Sequence, residues 1–94
     1  MLQRLFGYKI TREKAIFIQS IAICHGKLDD NKTELEFLLK SYDMRLKLYG
    51  NSEHQEVLST LNHLCRCYKN NGDVAKAMLF KEKSDEMKAK LASK

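Results

Sequence analysis

Apolar residues recur along most of this chain at the three- and four-residue spacing typical of amphipathic helices. Short polar segments such as GKLDDNK (26–32) and KNNGD (69–73) separate these stretches. The pattern predicts an all-α fold with helices at about 1–6, 10–26, 31–49, 54–70 and 74–91. The positions predicted to face the core are Ile18, Ile21, Ala22 and His25, then Leu35, Leu38, Leu39, Tyr42, Leu46 and Tyr49, then Val57, Leu58, Leu61, Leu64, Cys65 and Tyr68, and finally Val74, Ala77, Met78, Met87 and Leu91.

The segment before the last predicted helix carries residues suited to ending one helix and starting another. Asn71 and Gly72 favour the backbone conformation that closes a helix. The side chain of Asp73 can accept a hydrogen bond from an amide in the first turn of the next helix. We therefore expect a tight hairpin at this point.

The chain repeats itself at an offset of 43 residues. Twelve of the 51 compared pairs are identical, and the clearest match sets FLLKSYDM (37–44) over FKEKSDEM (80–87). A period of this length is typical of helical repeat proteins, in which each unit is a pair of packed helices. We predict a single domain over 1–94, made of the end of a partial repeat (1–9), repeat one (10–52), and repeat two with a polar C-terminal cap (53–94).

Composition supports a small helical domain and weakens other classes. The 94 residues include no proline, no tryptophan and only four glycines, whereas strand-rich domains usually need more turn residues. The net charge of +5 favours acidic partners, but basic residues are mixed with acids and form no concentrated stripe, so a nucleic-acid partner is disfavoured. The apolar run AIFIQSIAIC (15–24) is too short to cross a bilayer, and we expect no membrane partner.

The cysteine count bears on the compartment. Three cysteines fit no disulfide framework, which favours a reducing environment and a cytoplasmic location. Arg4, Lys9 and Arg12 precede the first acid, so a mitochondrial presequence is the weaker alternative.

Repeat two resembles a tetratricopeptide repeat. Its first helix, LNHLCRCY (61–68), has that family's order of large apolar residue, leucine, small residue and tyrosine, and Ala77 and Phe80 follow in the next helix. The segment SYDMRLKLYGNSEHQEVL (41–58) is similar to the long-repeat branch found in kinesin light chains and nephrocystin-3-like proteins. In repeat one, Glu34 occupies the position of a small residue. The resemblance implies antiparallel helical hairpins stacked as a short α-solenoid, and a non-enzymatic adaptor or scaffold that binds a protein segment in a concave groove.

The resemblance also implies which residues contact that segment. In this family the non-core positions of each repeat's first helix line the groove, and asparagine, arginine and lysine there can pair with peptide amides and carboxylates. A protein or peptide partner of acidic character is therefore expected. The corresponding residues here are Asn62, Arg66, Lys69 and Asn70 in repeat two, and Gln19, Ile23 and Lys27 in repeat one.

The cysteines and histidines favour packing over chemistry. On a helix, Cys65 points away from the face shared by His63 and Cys67, so the three cannot converge on one metal ion. Cys67 recurs as Cys24, which indicates a packing position between repeats, with a reactive thiol or a metal ligand as weaker interpretations. No catalytic motif is present, and we expect neither an enzyme nor a cofactor.

Two alternatives to the groove remain. The partial repeat carries the apolar residues Leu2, Leu5 and Phe6, which would suit a structural subunit, a homodimer or a larger assembly that buries this N-terminal face. Nucleic-acid association is less favoured, because only Tyr8, Tyr42 and Tyr49 are expected to be exposed for stacking.

Overall fold

Four helices follow one another through residues 10–50 and 54–93, the parts of the chain that the computed structural model describes. Each helix packs against the next, so the predicted all-α fold of helical hairpins is confirmed. The predicted helix at 1–6, with Leu2, Leu5 and Phe6, lies outside the described residues. The helices are α1 (Arg12–Lys27), α2 (Asn31–Tyr49), α3 (Gln55–Asn70) and α4 (Val74–Ala92).

Polar side chains begin all four helices and follow the period of the sequence. Thr11 caps α1 and His54 caps α3, while Asp30 caps α2 and Asp73 caps α4. Each side chain accepts a hydrogen bond from a backbone amide in the first turn. The members of each pair are 43 residues apart, so the same local structure starts equivalent helices in both repeats.

The turn at 69–73 is the tight hairpin expected from the sequence. Gly72 has φ of 83°, in the left-handed region that glycine adopts without steric cost. Asp73 Oδ1 accepts from the amide of Lys76 at 3.1 Å. Asp29 has φ of 63° at the equivalent place after α1, so the two hairpin turns also correspond.

The central core lies where α2, α3 and α4 meet, with a contribution from α1. Small residues let the helices approach closely, and larger half-buried side chains surround them. The buried members of this cluster are Ala22, Leu38, Leu64, Cys67, Tyr68 and Ala77.

One aromatic contact recurs in both repeats. Tyr68 stacks on Phe80 with ring centroids 5.3 Å apart, and His25 stacks on Phe37 at 5.8 Å. The two pairs are again offset by 43 residues, and His25 occupies the position of Tyr68, as the alignment of the repeats indicates.

The buried stripe of α2 differs from the predicted one. Of the six residues expected to face the core, only Leu38 is fully buried and the other five are half-buried. Two of the buried positions carry charges, which a search for apolar periodicity does not detect. The buried residues of α2 are Glu34, Leu38, Ser41 and Arg45.

The outer side of α4 is more apolar and more exposed than predicted. Val74 and Met78 were expected in the core but are 60% and 64% exposed, and Leu79 is 48% exposed. Ala77 and Ser84 are the buried residues of this helix. Within the described residues α4 packs against α3, and its Phe80 also meets Tyr42 of α2, so the opposite side of α4 faces solvent.

Candidate functional site

An open depression of about 470 Å³ lies between the C-terminal parts of α1 and α3. It brings together four of the seven predicted contact residues, which are Ile23, Lys27, Arg66 and Asn70. The remaining lining residues are Gly26, Asp29, Asn31 and Glu34. Two repeats therefore contribute cations and amides to one concave surface.

The floor of the depression is an ion pair between the repeats. Glu34 is only 3% exposed, while the Arg66 side chain is 55% exposed. Arg66 Nη2 lies 3.3 Å from Glu34 Oε2 and donates to it. A buried carboxylate without a cation would be costly, so Arg66 compensates Glu34 from the solvent side.

Glu34 can occupy a small-residue position because the opposing residue is glycine. A Cβ atom at Gly26 would lie 2.5 Å from the carboxyl carbon of Glu34. The missing side chain on α1 thus provides the space for a carboxylate on α2. This pairing explains how repeat one accommodates a carboxylate at the position where repeat two has Ala77.

Arg66 makes its second side-chain contact with His63. Burial and, secondarily, the charge of Arg66 lower the pKa of His63 below its usual value of 6.5. The ring is therefore neutral at pH 7, and its Nδ1 lies 3.3 Å from Arg66 Nη2 as an acceptor. Both contacts use Nη2, so the Nε and Nη1 donors of this half-exposed guanidinium can meet a ligand.

The other predicted contact residues do not line this depression. Asn62 Oδ1 accepts a hydrogen bond from Ser84 Oγ on α4, and Gln19 Oε1 accepts from Arg45 on α2. Lys69 is exposed at the end of α3. Asn62 and Gln19 therefore join helices within the molecule.

A second polar cluster surrounds Arg45 and was not predicted. Arg45 is 4% exposed, and its Nη1 donates to the Glu56 carbonyl oxygen at 3.1 Å. The same nitrogen contacts Gln19 on α1 and Thr60 on α3. The available signal was spacing, since Arg45 continues the stripe of Leu38 and Ser41, but arginine is rarely buried and the apolar pattern does not include it.

Glu56 lies on the solvent side of this cluster. It accepts hydrogen bonds from Arg12 on α1 and from the Tyr49 hydroxyl at 2.8 Å. Burial acts to raise the pKa of Glu56, but the hydrogen bonds from Arg12 and Tyr49, together with the charges of Arg12 and Arg45, outweigh it and lower the pKa below its usual value of 4.5. The carboxylate is therefore ionised near neutral pH.

The cysteines occupy three different environments. Cys67 is fully buried in the core, and burial followed by its contact with Glu34 raises the pKa of its thiol to about 12. Cys65 is half-buried against the same core. Cys24 was predicted to pack between repeats but is exposed, because within the described residues no helix covers this side of α1.

Among residues 10–50 and 54–93, no group of three or more histidines, cysteines or acids is placed to hold a metal ion.

The tyrosines expected to be exposed for stacking on bases are packed instead. Tyr42 meets the edge of Phe80 at 5.8 Å, and Tyr49 stacks on His54 with centroids 3.8 Å apart. Both are half-buried. Tyr8 lies outside the described residues.

The chain matches no protein-family model, no curated protein and no solved structure. Within the described residues, no helix is both long enough and apolar enough to cross a membrane.

Proposed function

We propose that this protein is a non-enzymatic interaction module, and that the depression between α1 and α3 binds a carboxylate-bearing segment of another protein. The proposal rests on one observation, the meeting of Lys27, Arg66 and Asn70 around a single concave surface. A tetratricopeptide-like adaptor acting in the cytoplasm is the specific form that we propose. The equivalent caps and ring stacks of the two repeats support it.

The chemistry of the depression suits a peptide carboxylate. Arg66 can offer its remaining donors to a carboxylate in a forked geometry, and Lys27 adds a second positive charge. The amide of Asn70 can both donate to and accept from a peptide backbone. Because α1 and α3 fix the backbone positions of these residues, less conformational entropy is lost when a peptide binds.

Glu34 limits how strongly an acidic segment can bind. Its carboxylate already contacts Arg66, so a ligand carboxylate must share that guanidinium and experiences repulsion from Glu34. We therefore expect modest affinity, selective for ligands whose carboxylate approaches the exposed edge of Arg66.

The direct test is an NMR titration of the ¹⁵N-labelled protein with a short glutamate-rich peptide and its glutamine-rich counterpart. We expect only the acidic peptide to shift the amides of Lys27, Arg66 and Asn70. Arg66→Gln should weaken binding about tenfold or more, since a charge-assisted hydrogen bond is lost. Lys88→Gln removes an equal charge from exposed α4 and is the matched control.

Arg66→Gln also leaves Glu34 without its cation, so a second variant is needed to distinguish lost binding from lost folding. Glu34→Gln combined with Arg66→Gln removes both charges and should still bind more weakly than the wild type while keeping the helical circular dichroism spectrum. Unchanged binding by both variants, or shifts confined to another face, would overturn the proposal.

A further inference from the structure

A second depression, of about 510 Å³, lies on the outer side of the first hairpin. Five of its nine lining residues are apolar, and Phe17 is 65% exposed there. The other four are three lysines and one aspartate. We call this surface the proximal face; its lining residues are Ile10, Lys14, Phe17, Ile18, Phe37, Lys40, Asp43, Met44 and Lys47.

The α3 part of the corresponding surface in repeat two is covered, and the helix that covers it is α2. Thr60, at the position of Phe17, is fully buried and contacts Arg45 of α2. Phe80, at the position of Phe37, meets Tyr42 of α2. The molecule therefore shows what kind of element fits such a face: a helix of the α2 type.

The helix that repeats α2 is α4. Leu35, Leu39 and Tyr42 of α2 pack against the central core at its boundary with repeat two. The residues 43 positions later on α4 are Met78, Glu82 and Asp85, and all three are exposed. We call these three residues the distal strip. On α2 the equivalent positions stack against repeat two. On α4 no helix of the described residues covers them.

The two surfaces are complementary in charge. The proximal face carries Lys14, Lys40 and Lys47 against Asp43. The depression beside the distal strip is lined by Leu79, Glu82, Lys83, Asp85 and Glu86. Lys81 lies 3.4 Å from Asp85 and belongs to the same surface, which therefore carries three acids against two lysines. Opposite net charges steer association and fix the orientation of the partners.

We propose that copies of this chain associate head to tail, with the distal strip of one copy docked on the proximal face of the next. In this contact, α4 of one molecule lies on repeat one of the next molecule in the way that α2 lies on repeat two within one molecule. It is weaker than that internal contact, because Lys81 stands at the position of Leu38, and Glu82 and Asp85 replace Leu39 and Tyr42. Such a heterologous contact leaves an unused face at each end, so the association is open-ended and sensitive to salt.

The test is light scattering across a concentration series, with one substitution on each face. Phe17→Lys and Met78→Lys both change strongly exposed side chains, so both variants should keep their helical circular dichroism spectra. We expect the wild-type mass to rise from 10.9 kDa past twice that value, and to fall back in high salt. Each variant should stay monomeric.

The mixture of the two variants separates this arrangement from a symmetric dimer. Each retains one intact face, so an equimolar mixture should form a dimer containing one copy of each and nothing larger. A Met78→Lys variant that still dimerises while Phe17→Lys does not would show a symmetric contact and overturn the proposal. A wild-type monomer at all concentrations would also overturn it. So would self-association that appears only after removal of residues 1–9, because the chain's own N-terminal segment would then be the occupant of the proximal face.

Discussion

Arg45 reaches from α2 to the first turn of α3 and donates a hydrogen bond from Nη1 to the carbonyl oxygen of Glu56 at 3.1 Å. The same nitrogen contacts Gln19 on α1. One buried cation thereby joins three helices and both repeats, and the boundary between the repeats is held by a polar cluster as well as by apolar packing.

Replacing Arg45 should therefore destabilise the whole fold. Arg45→Met keeps most of the volume but removes the buried cation and its hydrogen bonds to α1 and α3, and we expect a loss of about 3 kcal/mol in the free energy of unfolding. Urea denaturation followed by circular dichroism measures it. Lys32→Met on the exposed side of the same helix is the control, with an expected change below about 0.5 kcal/mol. Equal midpoints for the two variants would show that the cluster contributes nothing.

Stability should fall in acid partly through Glu56. Its folded pKa lies below the usual value of 4.5, so the unfolded chain binds this proton more readily than the folded protein does. The contribution of Glu56 to stability is therefore complete above that usual value and is lost as pH falls through the lower folded pKa. Glu56→Gln should flatten the acid limb of a plot of unfolding free energy against pH, whereas Glu36→Gln, an exposed acid on α2, should preserve it. A parallel downward shift at every pH would contradict this assignment.

Glu34→Gln should strengthen the binding of an acidic peptide. The substitution removes the carboxylate that occupies Arg66 and leaves the guanidinium free for the ligand. We expect a several-fold lower Kd in the NMR titration, corresponding to about 1 kcal/mol. Glu36→Gln removes the same charge from the same helix outside the depression and should change Kd little. A weaker affinity in Glu34→Gln would mean that Glu34 positions Arg66 for binding and does not compete with the ligand.

Gly26→Ala should be tolerated only when Glu34 is shortened. In the wild-type background the new methyl group meets the Glu34 carboxyl at 2.5 Å and displaces it from Arg66. In a Glu34→Ala background that obstacle is gone, and alanine should raise the unfolding free energy by about 1 kcal/mol through helix propensity. Chemical denaturation of the four proteins in this double-mutant cycle measures the difference. Additive effects would show that the two residues do not touch.

The thiols should react in the order of their exposure. Cys24 is exposed and should react with a chromogenic disulfide in the native state, while Cys67 is fully buried with a pKa of about 12 and should not. Mass spectrometry after partial alkylation at pH 8 identifies which residue is modified, and unfolded protein provides the control in which all three react. Native modification of Cys67 ahead of Cys24 would contradict its packing role.

The sequence predicted best those features that depend on nearby residues. The hairpin at 69–73 follows from the preference of Gly72 for left-handed backbone and of Asp73 for a capping position, and both act over a few residues. The burial of Glu34 and Arg45 depends instead on partners more than ten positions away, namely Arg66 for the first and Thr60 for the second. No local pattern contains that information.

Exposure at the ends of the stack was equally inaccessible to sequence patterns. Met78 follows the helical spacing of core residues, and Cys24 lies at the position equivalent to the buried Cys67. Either residue would be buried only if another helix packed against its side of α4 or α1. Arg66 and Asn70 were assigned to one surface because they are a helical turn apart, and the structure places them there together. Asn62 belonged to the same predicted set, yet its contact with Ser84 depends on the packing of α4.

The buried stripe of α2 begins with an acid and ends with a base, and this arrangement protects the chain from misassembly. Glu34 and Arg45 are separated by eleven positions, about 16 Å along the helix axis. A slip of one turn, about 5.4 Å, would remove both from their partners at once, whereas apolar residues could find similar contacts in the shifted register. The residue of α4 equivalent to Glu34 is Ala77, so α4 carries no carboxylate there that could pair with Arg66 in place of α2. Two repeats that are similar enough to exchange partners during folding are thereby kept in their proper order.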